Sequence, residues 1–208
     1  SAAPVAIAAT DEAYSAADAL YALGLFKGTS EYPDGSPNYE LDKKPLRQDA
    51  VVMLVRLLGK EKEAEAGSYS IPFKDVPSWA KPYVGYAYKN GLTNGMDKTK
   101  FGSKNLITAP QYMTFILRAL GYSSDTDFSW DKPFGLSDQL GITHGEYNKN
   151  SPFTRGDLAI VSNNALSARL KGSNKTLLQS LIDSGAVQDP GDTPTPPRPD
   201  NTPEPTST

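Results

Sequence analysis

Three stretches of the chain place apolar residues at helical spacing, and each stretch follows a short polar motif. The apolar stripes are Val51, Leu54, Val55 and Leu58; Met113, Ile116, Leu117 and Leu120; and Leu158, Val161, Ala165 and Ala168. This spacing predicts three long helices, each with one buried face. The third stripe is the least regular, because polar Ser162 and Asn163 stand at the positions of Leu54 and Val55.

A shorter amphipathic helix is predicted ahead of each long one. The predicted ranges are 11–23, 78–90 and 130–140. A Gly-apolar-x-x-Gly turn follows each of them, at 24–28, 91–95 and 141–145. The first glycine of each turn suits the left-handed conformation that closes a helix C-terminus. A last helix is predicted over 175–183, and strand signals are weak throughout.

The short helix, the turn and the long helix recur at a period of roughly 50 residues, which is typical of a repeat architecture. The three copies span about 11–60, 71–122 and 125–187. One pair of helices cannot bury its own apolar face, whereas three stacked copies can. We therefore expect one all-α, pseudo-threefold domain over 11–187, with the long helices meeting at a shared centre. Six side chains should lie near that axis: Leu54, Leu58, Ile116, Leu120, Val161 and Ala165.

Polar motifs open the three long helices. They read Pro-Leu-Arg-Gln-Asp at 45–49, Ile-Thr-Ala-Pro-Gln at 107–111 and Phe-Thr-Arg-Gly-Asp at 153–157. Thr108 and Thr154 are each followed three residues later by an amide or an acid, which is the form of a capping box. Leu46 has no side-chain acceptor, so the first long helix lacks this cap.

Two of the openers place an arginine where the helix dipole disfavours a cation. Arg47 and Arg155 stand at the first turn of their predicted helices. The second copy has Ala109 at this position, so we expect the fold to tolerate the loss of either arginine. An arginine beside free helix amides suits a carboxylate or phosphate ligand. The alternative is an exposed arginine that pairs with a neighbouring carboxylate.

The composition narrows the classes of function. Residues 188–208 hold seven of the 17 prolines and the whole formal net charge of −3, so they predict an extended linker. The neutral remainder lacks the basic excess of a nucleic-acid-binding protein. Residues 1–10 are rich in small side chains, as expected of an N-terminus left by signal-peptide removal. No run of 18 apolar residues predicts a membrane span.

The residue types present give little support for a metal site or a catalytic site. The chain has no cysteine and one histidine, His144, which disfavours a zinc site or a histidine-dependent triad. We expect His144 to be an exposed turn residue. Asp34, Ser36, Asn38 and Glu40 alternate like part of a calcium loop, but the glycine and the final glutamate of that loop are missing. No metal, cofactor or enzymatic activity is therefore expected.

At the helix openers the chain resembles the S-layer homology (SLH) domain family, in its usual triple form. The family's Ile-Thr-Arg-Ala-Glu motif is similar to 153–157 and, less closely, to 45–49. Its second marker, Phe-x-Asp-Val followed by Trp-Ala, is met by 73–76 and 79–80, with a worn form at 128–130. Its Pro-Asp-Gly loop element stands at 33–35. The resemblance covers nearly all of residues 11–187.

The resemblance implies a three-pronged spindle around a central three-helix bundle. It also implies non-covalent anchoring of a secreted protein to the Gram-positive cell wall, through secondary cell-wall polysaccharide that often carries anionic, pyruvylated N-acetylmannosamine. Grooves in the family lie between adjacent repeats. The residues expected to bind glycan here are Arg47, Asp75, Trp79, Gly95, Trp130, Gly145, Arg155 and Asp157. At most two grooves should be complete, since Ala109 replaces an arginine and no Phe-x-Asp-Val precedes Asp11.

Several assignments stay open at this point. Trp79 and Trp130 are expected either to stack on sugar faces or to belong to the core. Asp75 is expected either to accept sugar hydroxyls or to cap the helix near Ser78. One groove should combine Arg47 with Asp75 and Trp79 of the adjoining repeat. The alternative function is a structural module that packs against neighbouring S-layer proteins, its grooves degenerate; an enzyme acting on wall glycan is more distant still.

Overall fold

The computed structural model describes residues 8–189, and these are mostly helical. The helices are α1 (Asp11–Ala22), α2 (Arg47–Leu57), α3 (Glu61–Ala66), α4 (Lys81–Lys89), α5 (Ala109–Ala119), α6 (Phe134–Gln139), α7 (Arg155–Ala165) and α8 (Leu177–Asp183). A 3₁₀ helix, Ser78–Ala80, precedes α4. Strands β1 (Ser30–Glu31) and β2 (Pro37–Asn38) pair antiparallel, with Ser30 opposite Asn38. The all-α class is confirmed for this part of the chain, while most of the predicted N-terminal segment (1–10) and of the predicted linker (188–208) lies outside the described residues.

The predicted starts of the three long helices are correct, and the predicted start of the third short helix is wrong. The three long helices begin at Arg47, Ala109 and Arg155, inside their openers. The third short helix begins at Phe134 rather than Trp130, because residues 129–132 form a tight turn in which the Lys132 amide donates to the Ser129 carbonyl at 2.9 Å. Helix α3 was not predicted, since its six residues bury only Ala64 and show no apolar stripe.

The long helices share one core. Helix α5 contacts both α2 and α7. Five of the six side chains expected near the axis are buried, whereas Leu58 is only partly buried. The irregular Ser162 has a partner in this core: its Oγ lies 2.7 Å from the phenol oxygen of fully buried Tyr112. Ser162 therefore stands where the first copy has Leu54, and its hydroxyl satisfies the buried Tyr112 hydroxyl on the facing helix. The three-pronged spindle stays a prediction.

The start of each arginine-bearing helix is tied to another copy by backbone hydrogen bonds. The amides of Arg47 and Gln48 donate to the carbonyls of Asn105 (2.8 Å) and Ser103 (3.1 Å), in the loop before α5. The amides of Arg155 and Gly156 donate in the same way to the carbonyls of residues 43 and 41, before α2, at 2.7 and 2.8 Å. These bonds use helix amides that have no partner within the helix.

Helix α5 begins differently. Both capping boxes form as predicted, at Thr108 with Gln111 and at Thr154 with Asp157. Leu46 makes no side-chain cap, also as predicted. The second residue of α5 is Pro110, which has no amide to donate to a neighbouring loop. Among the described residues, the arginine-free copy therefore makes neither of the two backbone links that start the other two long helices.

The Tyr112–Ser162 pair allows a test of the shared core. Tyr112→Phe leaves the Ser162 hydroxyl buried without this partner, so it should lower the free energy of unfolding by about 1–2 kcal/mol. Tyr112→Phe combined with Ser162→Ala should cost less than the sum of the two single changes, because no orphan hydroxyl remains. Urea denaturation of the four proteins measures this coupling, and additivity within about 0.3 kcal/mol would contradict it.

Candidate functional site

The side chain of Arg47 leaves α2 and binds the second copy. Its Nε donates a 2.9 Å hydrogen bond to the carbonyl oxygen of Phe101. Its guanidinium carbon lies 4.9 Å from the centroid of the Phe101 ring and 5.4 Å from that of Phe115. Arg47 is 3% exposed. Within residues 8–189 its Nη1 and Nη2 make no hydrogen bond to protein. One nitrogen thus fixes the side chain, and two remain available to a ligand.

Asp75 holds the loop that Arg47 binds. Its carboxylate accepts hydrogen bonds from the amides of Phe101 (2.8 Å), Gly102 (2.7 Å) and Ser103 (3.2 Å). Burial acts to raise the pKa of this carboxyl, but the three amide hydrogen bonds prevail and hold the pKa below its ordinary value. Asp75 therefore positions the Phe101 carbonyl in front of Arg47. Asp75 does not cap the helix near Ser78, which has no side-chain cap.

Arg47 lines a cavity of about 540 Å³, which we call the Arg47 groove. Its other walls are the turn 93–96 and one face of α5, closed by Trp130 of the third copy. The α5 residues are Gln111, Thr114, Phe115 and Arg118. Gly95 in the turn has φ +78°, and a Cβ there would lie 2.3 Å from a ring carbon of Phe73. Only glycine fits this wall, and all three copies contribute to the groove.

Arg155 forms an equivalent cavity elsewhere on the molecule. Its Nε donates to the Tyr39 carbonyl at 2.8 Å, its Nη1 lies 3.3 Å from the sulfur of Met53, and its Nη2 donates to the Lys27 carbonyl at 3.3 Å. The cavity, the Arg155 groove, has a volume of about 430 Å³. Its α2 wall matches the α5 wall position for position and consists of Asp49, Val52, Met53 and Arg56.

Both tryptophans lie exposed at groove edges. Trp79, in the 3₁₀ helix, is 52% exposed and lines the Arg155 groove. Trp130 is 64% exposed and lines the Arg47 groove, where its carbonyl accepts a 3.0 Å hydrogen bond from Thr114 Oγ1. The core alternative is therefore wrong for both. The expected pairing of Arg47 with Trp79 is also wrong, because the two residues line different grooves.

The third position has no arginine. Ala109, buried, stands where the other two copies have Arg47 and Arg155. A cavity of about 580 Å³ beside α7 is lined mostly by small and neutral residues, and its ionisable residues are Glu12, His144, Glu146 and Asp157, together with Tyr147. Asp157 accepts from the Thr154 amide and from the Tyr147 hydroxyl, both at 2.8 Å. Gly145 has φ +83° and donates to Asp138 at 2.9 Å. Neither residue lines an arginine groove, and His144 is exposed as expected.

Burial shapes the electrostatics of both grooves. It lowers the pKa of Arg47 to about 10, an effect that Asp75 opposes and nearby Arg118 reinforces. Burial also lowers the pKa of Arg155, against the attraction of Asp49 and Glu40. Both guanidiniums remain cationic near neutral pH. The burial of both also argues against the expectation that either arginine is dispensable for the fold, since truncation would leave an unfilled space and an unpaired carbonyl.

Sequence reasoning overlooked Arg56 and Arg118, which occupy equivalent positions on α2 and α5. The Nε of Arg56 pairs with Glu61 at 2.9 Å. Arg118 instead donates to neutral groups, the Ser124 hydroxyl at 2.9 Å and the Leu92 carbonyl at 3.4 Å. The sequence signal for this pair was that both arginines lie at the same number of residues after the first residue of their helices. Residues 8–189 contain no cluster of acids and histidine arranged for a metal, and none of their helices is long and apolar enough to cross a membrane.

Comparison with known proteins gives one domain match and several relatives. Residues 72–108 match the S-layer homology domain, a stretch that includes Asp75, Trp79 and Gly95. The chain is 36% identical over 164 residues to a cell surface protein of Thermoanaerobacter kivui, covering 75% of this chain and 20% of that protein. It is 30% identical over 150 residues to the middle cell wall protein of Brevibacillus brevis, covering 71% and 14%. The Brevibacillus choshinensis surface layer protein is 27% identical over 154 residues, covering 73% and 13%. The chain thus spans a fifth or less of these relatives.

The lowered pKa of Asp75 makes its contribution to stability depend on pH. A carboxyl whose folded pKa lies below its ordinary value of 3.8 stabilises the fold above that pH, and the contribution is lost as pH falls through the lower, folded pKa. Asp75→Asn should therefore cost about 2 kcal/mol of unfolding free energy at pH 7, on the scale of a charged hydrogen bond. The difference from the unaltered protein should shrink below pH 3.8.

Unfolding by urea across the acid range measures this effect. Asp131→Asn provides the control, because Asp131 is exposed and should change stability little at any pH. A gap between Asp75→Asn and the unaltered protein that persists undiminished at low pH would contradict the role assigned to the carboxylate.

Proposed function

We propose that this chain anchors a surface protein non-covalently to the bacterial cell wall by binding an anionic wall polysaccharide in its arginine grooves. The observation that carries the proposal is that each of two cavities is lined by one buried arginine and one exposed tryptophan. A guanidinium in a partly desolvated cavity favours an anion, and an aromatic face suits the apolar face of a sugar. The S-layer homology match and the names of the relatives support the cell surface as the location.

A carboxylated sugar is the ligand class that fits this pairing best. The pyruvyl ketal of N-acetylmannosamine, which the family resemblance implies, carries a carboxylate on a pyranose ring. In the Arg47 groove the carboxylate would meet Arg47 while the ring packs against Trp130. On the opposite wall, exposed Asn94 offers hydrogen-bonding groups and Met96 an apolar edge.

The domain arrangement belongs to the same proposal. We assign residues 11–187 to three SLH repeats in a spindle around the long helices, with 188–208 as a linker. Support comes from the recurrence of a short helix, a glycine turn and a long helix in each copy. Gly24, Gly91 and Gly141 all have φ between +70° and +75°, as the repeat predicts.

Truncating the tryptophans tests the proposal without disturbing the buried arginines. Trp79→Ala and Trp130→Ala together should weaken binding to purified wall polysaccharide by at least about tenfold, because stacking on an aromatic face is lost. Thermal unfolding should change little, since both side chains are more than half exposed. Equilibrium sedimentation with the polysaccharide provides the measurement.

Tyr32→Ala is the matched control, because Tyr32 is 52% exposed and lines neither arginine groove. Polysaccharide stripped of its pyruvyl groups should bind as weakly as the double variant binds the intact polymer. Equal binding of both polymers by the unaltered domain would refute the anion-binding proposal and favour packing against neighbouring surface proteins.

A further inference from the structure

The two arginine grooves are equivalent in position but not in charge. We propose that the Arg47 groove is the principal anion site and that Arg118 is a second ligand-binding cation there. This inference rests on the proposed function and adds to it which groove binds and through which extra residue. The ligand class is a sugar bearing a carboxylate that Arg47 and Arg118 bind together.

The lining charges separate the grooves first. The Arg47 groove is lined by two cations, Arg47 and Arg118, and by no acidic residue. The Arg155 groove is lined by five cations, Lys27, Lys43, Lys44, Arg56 and Arg155, and also by two acids, Glu40 and Asp49. An anion entering it meets two carboxylates, which disfavour a like charge in a partly desolvated site. Both linings are net positive, and they differ in that the Arg47 groove presents its cations with no carboxylate in the same lining.

The partners of the second arginine differ in the same direction. Glu61 pairs with Arg56 at 2.9 Å and with Lys27 at 3.1 Å, so one carboxylate screens two cations of the Arg155 groove. Lys43, also in that groove, pairs with Glu40. Arg118 is held by a serine hydroxyl and a backbone carbonyl, and Asp125 attracts the guanidinium without forming an ion pair with it among the described residues. Its charge therefore remains available to a ligand.

The free nitrogens of the buried arginines give a third, independent difference. Nη1 and Nη2 of Arg155 already contact the Met53 sulfur and the Lys27 carbonyl. Those of Arg47 make no hydrogen bond within residues 8–189, although the residue is buried. Two unpartnered donors on a largely buried guanidinium that lines a cavity suit a bidentate carboxylate.

The two tryptophans report which groove is occupied. The chain has only two, so their indole N–H signals in a two-dimensional ¹⁵N spectrum distinguish Trp130 in the Arg47 groove from Trp79 in the Arg155 groove. The probe is the methyl glycoside of N-acetylmannosamine carrying a 4,6-pyruvyl ketal. Its neutral methyl ester is the matched control. The acid should shift the Trp130 signal saturably and leave the Trp79 signal unmoved. The affinity for the ester should be lower by at least about tenfold.

An added carboxylate beside Arg118 tests its role while the arginine itself is kept. Ser124→Asp gives Arg118 a carboxylate partner as Glu61 does for Arg56, and it should weaken probe binding at Trp130 by about tenfold. Glu61→Ser removes the screening carboxylate from the other groove, so the Trp79 signal should begin to respond at the same probe concentrations. Urea unfolding confirms that both variants are folded, and Arg118→Gln should reproduce the loss seen with Ser124→Asp.

The outcomes separate this inference from the function on which it rests. A Trp79 shift that saturates first, or unchanged Trp130 binding in Ser124→Asp and Arg118→Gln, would overturn the choice of groove and of Arg118 while leaving polysaccharide binding intact. Binding of the domain to wall polysaccharide without a shift of either indole signal would likewise overturn the choice of groove. Failure of the unaltered domain to bind either probe or polysaccharide would remove both conclusions together.

Discussion

The rest of the structure depends on one contact: an arginine at the start of a helix donating to a backbone carbonyl of another copy. The Nε of Arg47 bonds the Phe101 carbonyl, and that of Arg155 bonds the Tyr39 carbonyl. Aromatic rings flank both guanidiniums. A carbonyl orients a guanidinium without cancelling its charge, whereas a buried carboxylate would cancel it. Each contact therefore joins two copies and leaves a positive charge on a cavity.

The backbone reinforces the same junctions. The first amides of α2 and α7 bond loops of other copies, at 103–105 and 41–43, so the helix dipole, the arginine and the loop are held together. The second copy departs in three linked ways, because Ala109 removes the guanidinium, Pro110 removes an amide, and Gln111 completes a capping box. That start is stabilised within its own helix. The loss of the arginine at this junction is therefore accompanied by a compensating local structure.

The helical pattern and the caps could be predicted from sequence because both depend on residues close together in the chain. Stripe spacing located α2, α5 and α7, and the Thr-x-x-acid pattern located two caps. The partners of the site residues could not be predicted in this way. Asp75 binds amides 26 to 28 residues away, and Arg155 bonds a carbonyl 116 residues away. Which tryptophan closes which groove depends on such long-range packing, so Trp79 was paired with the wrong arginine.

The structural and binding roles of the buried arginine are divided between its nitrogens. Nε makes the inter-copy bond in both grooves, so removing either arginine alters folding and binding at once. The grooves differ instead in what surrounds that common element: Ser124 or Glu61 beside the second arginine, and free or engaged Nη atoms on the first. A bound carboxylate would supply a countercharge that is absent from the lining of the Arg47 groove, whereas Glu40 and Asp49 already lie among the cations of the Arg155 groove. The neighbouring charges, and not the presence of the arginine, therefore determine which groove gains more by binding an anion.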